Sequence, residues 1–430
     1  MKRKFPPAIS ILVAMVLGII VGYMIFDQFP DKKSAAQIAG YVSIGSDVFL
    51  RLIKMLIGPL VFSTLVVGIA HMGDTKSIGR IGLKTMGWFI SASLMSLILG
   101  MILVNILRPG DSLNLPLPDA GASANLKVAS LTLKEFVTHL VPRSVFEAMA
   151  TNEILQIVVF SVFFGAAAAA LGEKVRIVID WIEQIAHVML KVTAYVMALA
   201  PVAVFAAMAS IITTQGLGVL FVYGKFMGEF YLGLSILWCL LAAAGFMLLG
   251  PRVARLLTMI KEPIMLAFST ASSEAAYPKT LEQLERFGAS KKITSFVLPL
   301  GYSFNLDGSM MYTTFAVLFI AQAYKIDLSV SQQITMLLLL MVTSKGMAGV
   351  PRASLVVIAA TLATFNIPEA GLLLIMGIDQ FLDMGRSATN VIGNSIATAV
   401  VAKWEGELRP EAEGQAEIDA DESVVGAARA

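Results

Sequence analysis

The sequence predicts an all-α polytopic membrane protein, and three observations predict it. Of its 430 residues, 57% are hydrophobic and only 14% charged, with a mean hydropathy of +0.79. A water-soluble domain needs more polar surface than that, so lipid is the solvent for most of the chain. Several apolar runs reach the roughly 20 residues needed to cross a bilayer core of about 30 Å. The late segment "GIDQFLDMGRSATNVIGN" carries charges inside an otherwise oily stretch. Such charges cost free energy in a membrane and need a reason.

Six spans come first, at about 8–26, 45–70, 86–107, 153–171, 185–212 and 229–249. The opening "MKRKFPPAISILVAMVLGII" has the charge pattern of a secretion signal, but its apolar run is long and no small-x-small cleavage site follows. It reads as a retained first span. With the N-terminus inside, the inner segments hold eleven basic residues: Lys2, Arg3, Lys4, Lys76, Arg80, Lys84, Lys174, Arg176, Arg252, Arg255 and Lys261. The longer outer segments hold seven, namely Lys32, Lys33, Arg108, Lys127, Lys134, Arg143 and Lys225. The positive-inside rule therefore sets both termini in the cytoplasm and the loop 108–150 outside. Cys239 lies in apolar "SILWCLLAAA" and reads as a buried, inert thiol, with no disulfide framework. His71, His139 and His187 are too scattered for a metal site. Residues 405–430 hold eight acidic and two basic side chains, so removing them takes the net charge from +2 to +8. They read as a disordered cytoplasmic tail behind a membrane domain of residues 1–404.

After Arg255 the pattern changes. "PIMLAF" meets the small polar cluster "STASSEAAYPK" and then "TLEQLERFG"; "ITMLLLLMV" meets "TSKGMAGVPRAS" and then "LVVIAATLATF". Arms of about ten residues cover about 15 Å, half the bilayer core. Two re-entrant hairpins fit these lengths, although ordinary extramembrane turns would also place small residues there. Each hairpin precedes a long apolar segment with polar residues at its centre, "SFVLPLGYSFNLDGSMMYTTFAVLFIAQAY" and the segment quoted first. Eight transmembrane helices and two hairpins result. The repeated pairing points to an internal repeat with a binding site at its interface.

Asp379, Asp383, Arg386, Asn390 and Asn394 are spaced 4, 3, 4 and 4 apart, one face of an α-helix. Each charge at the bilayer centre costs about 2.5–3.5 kcal/mol, so three unpaired ones would cost roughly 8–10 kcal/mol. A buried ion pair that glues helices would account for Asp383 and Arg386, and leaves Asp379 and both amides over. A second polar cluster, Asn305, Asp307 and Ser309 in "NLDGS", supplies further oxygens, and Gly308 suggests an unwound turn with free carbonyls. Hard oxygen ligands suit a small cation. An arginine fork suits a carboxylate, and an aspartate one turn away suits an ammonium. Together they describe an acidic amino acid as substrate.

At these residues the sequence resembles the dicarboxylate/amino acid:cation symporter family, the glutamate transporter relatives. The resemblance runs to about residue 405 and is carried by "STASSE", "GYSFNLDGS", "SKGMAGVP" and "LDMGRSATNVIGN". It implies an inverted-repeat, elevator-like fold, a homotrimer in the cell inner membrane, and coupling to protons, sodium ions or both, with no cofactor. The scaffold would be mainly spans 1, 2, 4 and 5; the moving unit would be spans 3 and 6 with residues 253–404.

Carried over by position, Arg386 would bind the substrate side-chain carboxylate and Asp383 its amino group. Ser387 and Asn390 would support them. Ser272 and Ser273 would meet the α-carboxylate, and Gly349, Val350 and Pro351 would close over the substrate. Asn305, Asp307, Ser309, Asp379 and Asn394 would be cation-associated. Asn394 stands where sodium-coupled archaeal and animal members carry an aspartate, and Phe89 and Ala92 where they carry hydroxyls. Those changes favour proton coupling or fewer sodium ions. Arg352 after Pro351 and Tyr277 before Pro278 also depart from the family pattern. The C4-dicarboxylate members lack the aspartate at position 383, so its presence favours glutamate or aspartate over succinate, malate or fumarate.

Other classes fit less well. An intramembrane aspartyl protease needs two facing aspartates sharing a proton, whereas Asp379 and Asp383 share one helix and Arg386 holds its neighbour ionised. No GxxxxGK[ST] phosphate loop occurs, which excludes a self-contained ATP-driven pump of that type. A channel could use a charged stripe, but re-entrant tips closing on a carboxylate site suit alternating access. Neither an enzyme nor a nucleic-acid partner is expected.

Overall fold

The computed structural model describes residues 7–70, 75–112, 138, 141–217, 223–344, 353–376 and 378–410. The first long helices are α1 (Pro7–Gln28), α2 (Lys32–Val42), α3 (Ile44–Ala70) and α4 (Thr75–Leu107). Helix α4 starts eleven residues before its expected bound, because the basic stretch "TKSIGRIGLK" continues the helix beyond the apolar run. A short α5 (Val145–Ala150) precedes α6 (Ile154–Leu171), α7 (Arg176–Met197), α8 (Ala200–Gln215) and α9 (Gly224–Leu249). The single span expected at 185–212 is thus two helices meeting at Ala198–Leu199. Pro201 marks the break: it lacks an N–H and sits in the first turn of α8, where the helix needs no such donor.

The short helices α10 (Arg252–Met259), α11 (Lys261–Thr270) and α12 (Tyr277–Arg286) follow. Helices α11 and α12 are ten residues each, the half-bilayer arms expected of the first hairpin. Its turn passes through Ala271 in the left-handed region, φ 50°. Next come α13 (Lys291–Phe304), α14 (Asp307–Ala323), α15 (Val330–Thr343), α16 (Ala353–Thr364), α17 (Leu372–Met376) and α18 (Asp379–Trp404). Helices α15 and α16 are the arms of the second hairpin. Its tip, with Gly349, Val350, Pro351 and Arg352, lies outside the described residues. No sheet forms among the described residues.

Helix α14 is the axis of the molecule. Every one of its residues but Gln322 is buried. Helices α4 and α18 flank it, and its Phe315 and Tyr312 meet Phe230 of α9 edge-on at 5.6 and 5.8 Å. A second packing group forms elsewhere. Helix α3 lies against α6, α7 and α8, and α1 lies along α8. That last contact is very close: a Cβ on Gly18 would meet Phe205 O at 2.6 Å, and one on Gly22 would meet Ala209 O at 2.6 Å. Small-xxx-small spacing of this kind lets helix backbones touch in a membrane. The outer side of α1 shows Val13, Leu17, Ile20 and Met24, a surface for lipid.

Two expectations change. Cys239 is exposed, because it sits on the outward face of α9, which is apolar for lipid rather than for a protein core. The tail expected from residue 405 begins with an ordered strap. The Glu405 side chain, 2% exposed, is held by Arg80 at 2.8 Å and Lys84 at 2.7 Å. Burial pushes its carboxyl up, but the hydrogen bonds from Arg80 and Lys84 overcome this and leave it below the ordinary value. Leu408 then bridges Ala289, while Arg409 N donates to Gly288 O at 2.9 Å. Residues 411–430 lie outside the described residues.

Candidate functional site

Helix α18 runs unbroken through the polar stripe, so the 4-3-4-4 spacing becomes a physical line of side chains. That line lies antiparallel on α13 and α14. At one end the Tyr312 hydroxyl donates to Asp379 Oδ1 at 2.6 Å. One turn on, the Arg386 guanidinium pairs with Asp383 through Nε. Its Nη1 donates to Ser354 Oγ at 2.8 Å and to Ser309 Oγ at 3.4 Å. Asn390 Nδ2 donates to Ser309 Oγ at 3.2 Å, and Asn390 Oδ1 accepts the Gly308 amide at 2.9 Å. At the far end, Asn305 Nδ2 donates to Asn394 Oδ1 at 3.1 Å and to Asp307 Oδ2 at 3.2 Å.

These contacts need bare backbone. A Cβ on Gly308 would run into Arg386 O, and one on Gly393 into Asp307 Oδ2. The chain does unwind at "NLDGS", but at Asn305 (φ −117°, ψ 64°) and Leu306 (φ −99°, ψ 60°) rather than at Gly308. Gly308 is helical, and its role is to let α18 approach. Helix α13 therefore ends inside the protein, where its last carbonyls lose helical donors. Ser93 of α4 reaches one of them, donating to Phe304 O at 3.4 Å.

Most of the stripe is sealed. Asp379 is 3% exposed, and Asn390 and Asn394 are 1% each. The side chains of Asp383 and Arg386 keep 15% and 16%, so accessibility is confined to the one ion pair. Two clusters result, and they divide the residues differently from the sequence reading. Asn305, Asp307 and Asn394 meet, and Asn305 Oδ1 is buried with no donor on it. Such an oxygen, beside one carboxylate, is the kind of group a small hard cation takes. Ser309 joins Arg386 and Asn390 instead, and Asp379 stands apart with Tyr312. Ser387 Oγ is buried without a hydrogen-bond partner.

Ser272 accepts the Ala275 amide at 3.2 Å within its own turn. Among the described residues neither Ser272 nor Ser273 bonds to Asp383 or Arg386. Phe89 and Ala92 are both buried on α4. Tyr277 meets Tyr302 edge-on at 5.4 Å. Sequence reasoning missed Tyr312, Ser354 and Trp238, whose Nε1 donates to Thr389 Oγ1 at 2.7 Å. The polar residues among them give no local pattern; only the register of distant helices brings them in.

A helical membrane fold with a buried polar stripe, open at one carboxylate–guanidinium pair, defines a carrier of small charged solutes. Residues 8–404 match the model of the sodium:dicarboxylate symporter family, and the chain belongs to that family. It is 41% identical to a proton/sodium-glutamate symport protein of Bacillus caldotenax, over 95% of this chain and 97% of the relative. It is 38% identical to the protein of that name from Bacillus subtilis (strain 168), over 95% of each chain. A C4-dicarboxylate transport protein of Cupriavidus taiwanensis is 40% identical over 93% of this chain and 91% of its own.

Proposed function

We propose that the protein is a secondary active symporter that imports glutamate or aspartate with protons, sodium ions or both. The observation that carries this reading is the Asp383–Arg386 pair. Fixed opposite charges one turn apart, accessible in an otherwise sealed polar stripe, suit a solute with both an ammonium and an extra carboxylate. Arg386 takes the side-chain carboxylate and Asp383 the amino group, displacing their mutual contact. Ser387 and Asn390 lie on the same face, Ser272 and Ser273 meet the α-carboxylate, and Gly349 to Pro351 close over the substrate. Asn305, Asp307, Asn394 and Asp379 serve the coupling cations. Ser309, bonded to Arg386 and Asn390, belongs with the substrate groups.

An elevator-type movement would take α1–α3 and α6–α8 as scaffold and α4 with α9–α18 as the moving unit, which meet where α3 packs on α13 and where α1 and α8 pack on α11. A homotrimer is supported by α7. Asp180, Glu183, His187 and Lys191 form a 3-4-4 stripe along it, with Asp180 and His187 exposed. Its His187 and Lys191 fall within the expected span 185–212, where polar side chains facing lipid are costly, and a second copy of the chain would cover them. The cell inner membrane, with both termini cytoplasmic, follows from the basic residues of the short loops.

The test is uptake of labelled glutamate, aspartate and succinate into proteoliposomes, with sodium and pH gradients imposed separately. Concentrative amino acid uptake supports the reading. Uptake of succinate alone would replace it with C4-dicarboxylate transport, and flux that never exceeds equilibrium would mean a channel. Uptake driven by protons without sodium supports the loss of sodium ligands at Asn394, Phe89 and Ala92; strict sodium dependence would refute that loss.

A further inference from the structure

A guanidinium is a rigid plane with five donors, so the groups that hold two of its edges decide where the rest point. In Arg386, Nε is turned to Asp383, and Nη1 is held by Ser354 at 2.8 Å and Ser309 at 3.4 Å. The two serines come from different elements, Ser309 from α14 and Ser354 from α16. Ser354 is 2% exposed, so helix packing rather than solvent sets its place. Farther along α16, Thr361 and Thr364 turn their hydroxyls to carbonyls four residues back, at 2.8 and 2.9 Å. Ser354 turns its hydroxyl to the guanidinium. Its oxygen accepts from Nη1, which leaves its own proton to be donated.

We infer that Ser354 is a positioning and specificity-determining residue of the substrate site. It aims the Arg386 fork and gives its hydroxyl proton to the carboxylate that the fork binds. This rests on the reading of Arg386 as the group that holds the substrate side-chain carboxylate. A carboxylate has about four acceptor sites, so it takes the fork and the hydroxyl together. A side-chain amide offers one oxygen and turns N–H donors toward the arginine. Ser354 therefore widens the gap between acid and amide, beyond what the positive charge alone provides.

The experiment uses the full chain in proteoliposomes, with Ser354→Ala, Ser354→Thr and Arg386→Ala compared for glutamate and aspartate uptake and for competition by glutamine and asparagine. Ser354→Ala is expected to raise KM for the acids about tenfold, the worth of one hydrogen bond to a charged group. Its kcat stays within about twofold, the acid-to-amide ratio narrows, and Ser354→Thr restores both. An unchanged KM and ratio, a fall in kcat at constant KM, or no rescue by threonine would overturn the inference. If the alanine variant melts early in detergent, Ser354→Cys, near-isosteric with a weak S–H donor, carries the same comparison. Arg386→Ala separates the two levels. If it keeps acid-over-amide selectivity, the reading of the site fails; if it loses selectivity while Ser354→Ala keeps it, only the role of Ser354 fails.

Discussion

Helix α1 lies on α8 through Gly18 and Gly22, and α18 lies on α14 with Gly308 and Gly393 at the contact. The backbone device is the same, and the contents differ. At α1–α8 the approach brings apolar carbons and carbonyls together, with one long hydroxyl contact from Thr213 to Gly22 O at 3.4 Å. At α18–α14 it brings carboxylates, amides and a guanidinium within hydrogen-bonding distance. Exposure runs the other way. The apolar span of α1 is only 18% buried, while α18, far more polar than α1, is buried along nearly its whole length. In a membrane, burial no longer tracks hydrophobicity, because lipid is as apolar as a core. What is hidden is what lipid cannot solvate.

Four substitutions, two of them paired with a matched change at α1–α8, would break or sharpen that contrast. The largest effect belongs to Arg386→Ala, which strands Asp383. Uptake is expected to fall about a thousandfold in kcat/KM, about 4 kcal/mol, measured with labelled glutamate. Gly308→Ala follows, since its methyl meets backbone that cannot step aside. We expect about 3 kcal/mol of lost stability in detergent melting, against less for Gly18→Ala, where α1 can shift outward into lipid. A larger loss at Gly18 would mean that the outer contact is the tighter one.

Next, Tyr312→Phe takes a donor from buried Asp379 and should cost about 2 kcal/mol. Thr213→Val, the matched change at α1–α8, should stay within about 0.5 kcal/mol of wild type. Equal costs would erase the distinction between the two contacts. The smallest effect is expected from Glu405→Gln in the strap. Because the folded carboxyl titrates below its ordinary value, it contributes stability above that value and loses it as pH falls through the depressed one. The variant should therefore melt a few degrees lower at neutral pH, and the gap should close in strong acid.

The stripe on α18 was legible in the sequence because charge at helical spacing stands out against an oily background. Hairpin arms were legible from length alone, α11 and α12 being too short to span. The division of α7 from α8 was not, since "TAYVMALAPVAVF" is apolar throughout and only Pro201 marks the break. Gly308 was misread for a related reason. A glycine beside an aspartate suggests a turn locally, whereas its actual neighbour, Arg386, lies on a distant helix. Tyr312 and Ser354 were invisible because a hydroxyl inside a helix looks the same whether it bonds its own backbone or a charge across the site. The strap at 405–409 hid inside an acidic composition that reads as solvated.

The antiparallel seating of α18 on α13 and α14 also fixes an order of events during synthesis. Asn305 and Asp307 leave the ribosome about 90 residues before Asn394. At ~5–20 residues per second, that is a wait of about 5 to 20 seconds. Through that interval the nascent chain holds a carboxylate and an amide whose final partner has not been made. The apolar pairing of α1 with α8 is already possible, since α8 is translated before α9 begins. Biogenesis thus has an early stage, in which α1 can already pair with α8, and a late one that completes the polar contacts only when the last helix arrives, and insertion machinery or water must shelter the polar groups until then.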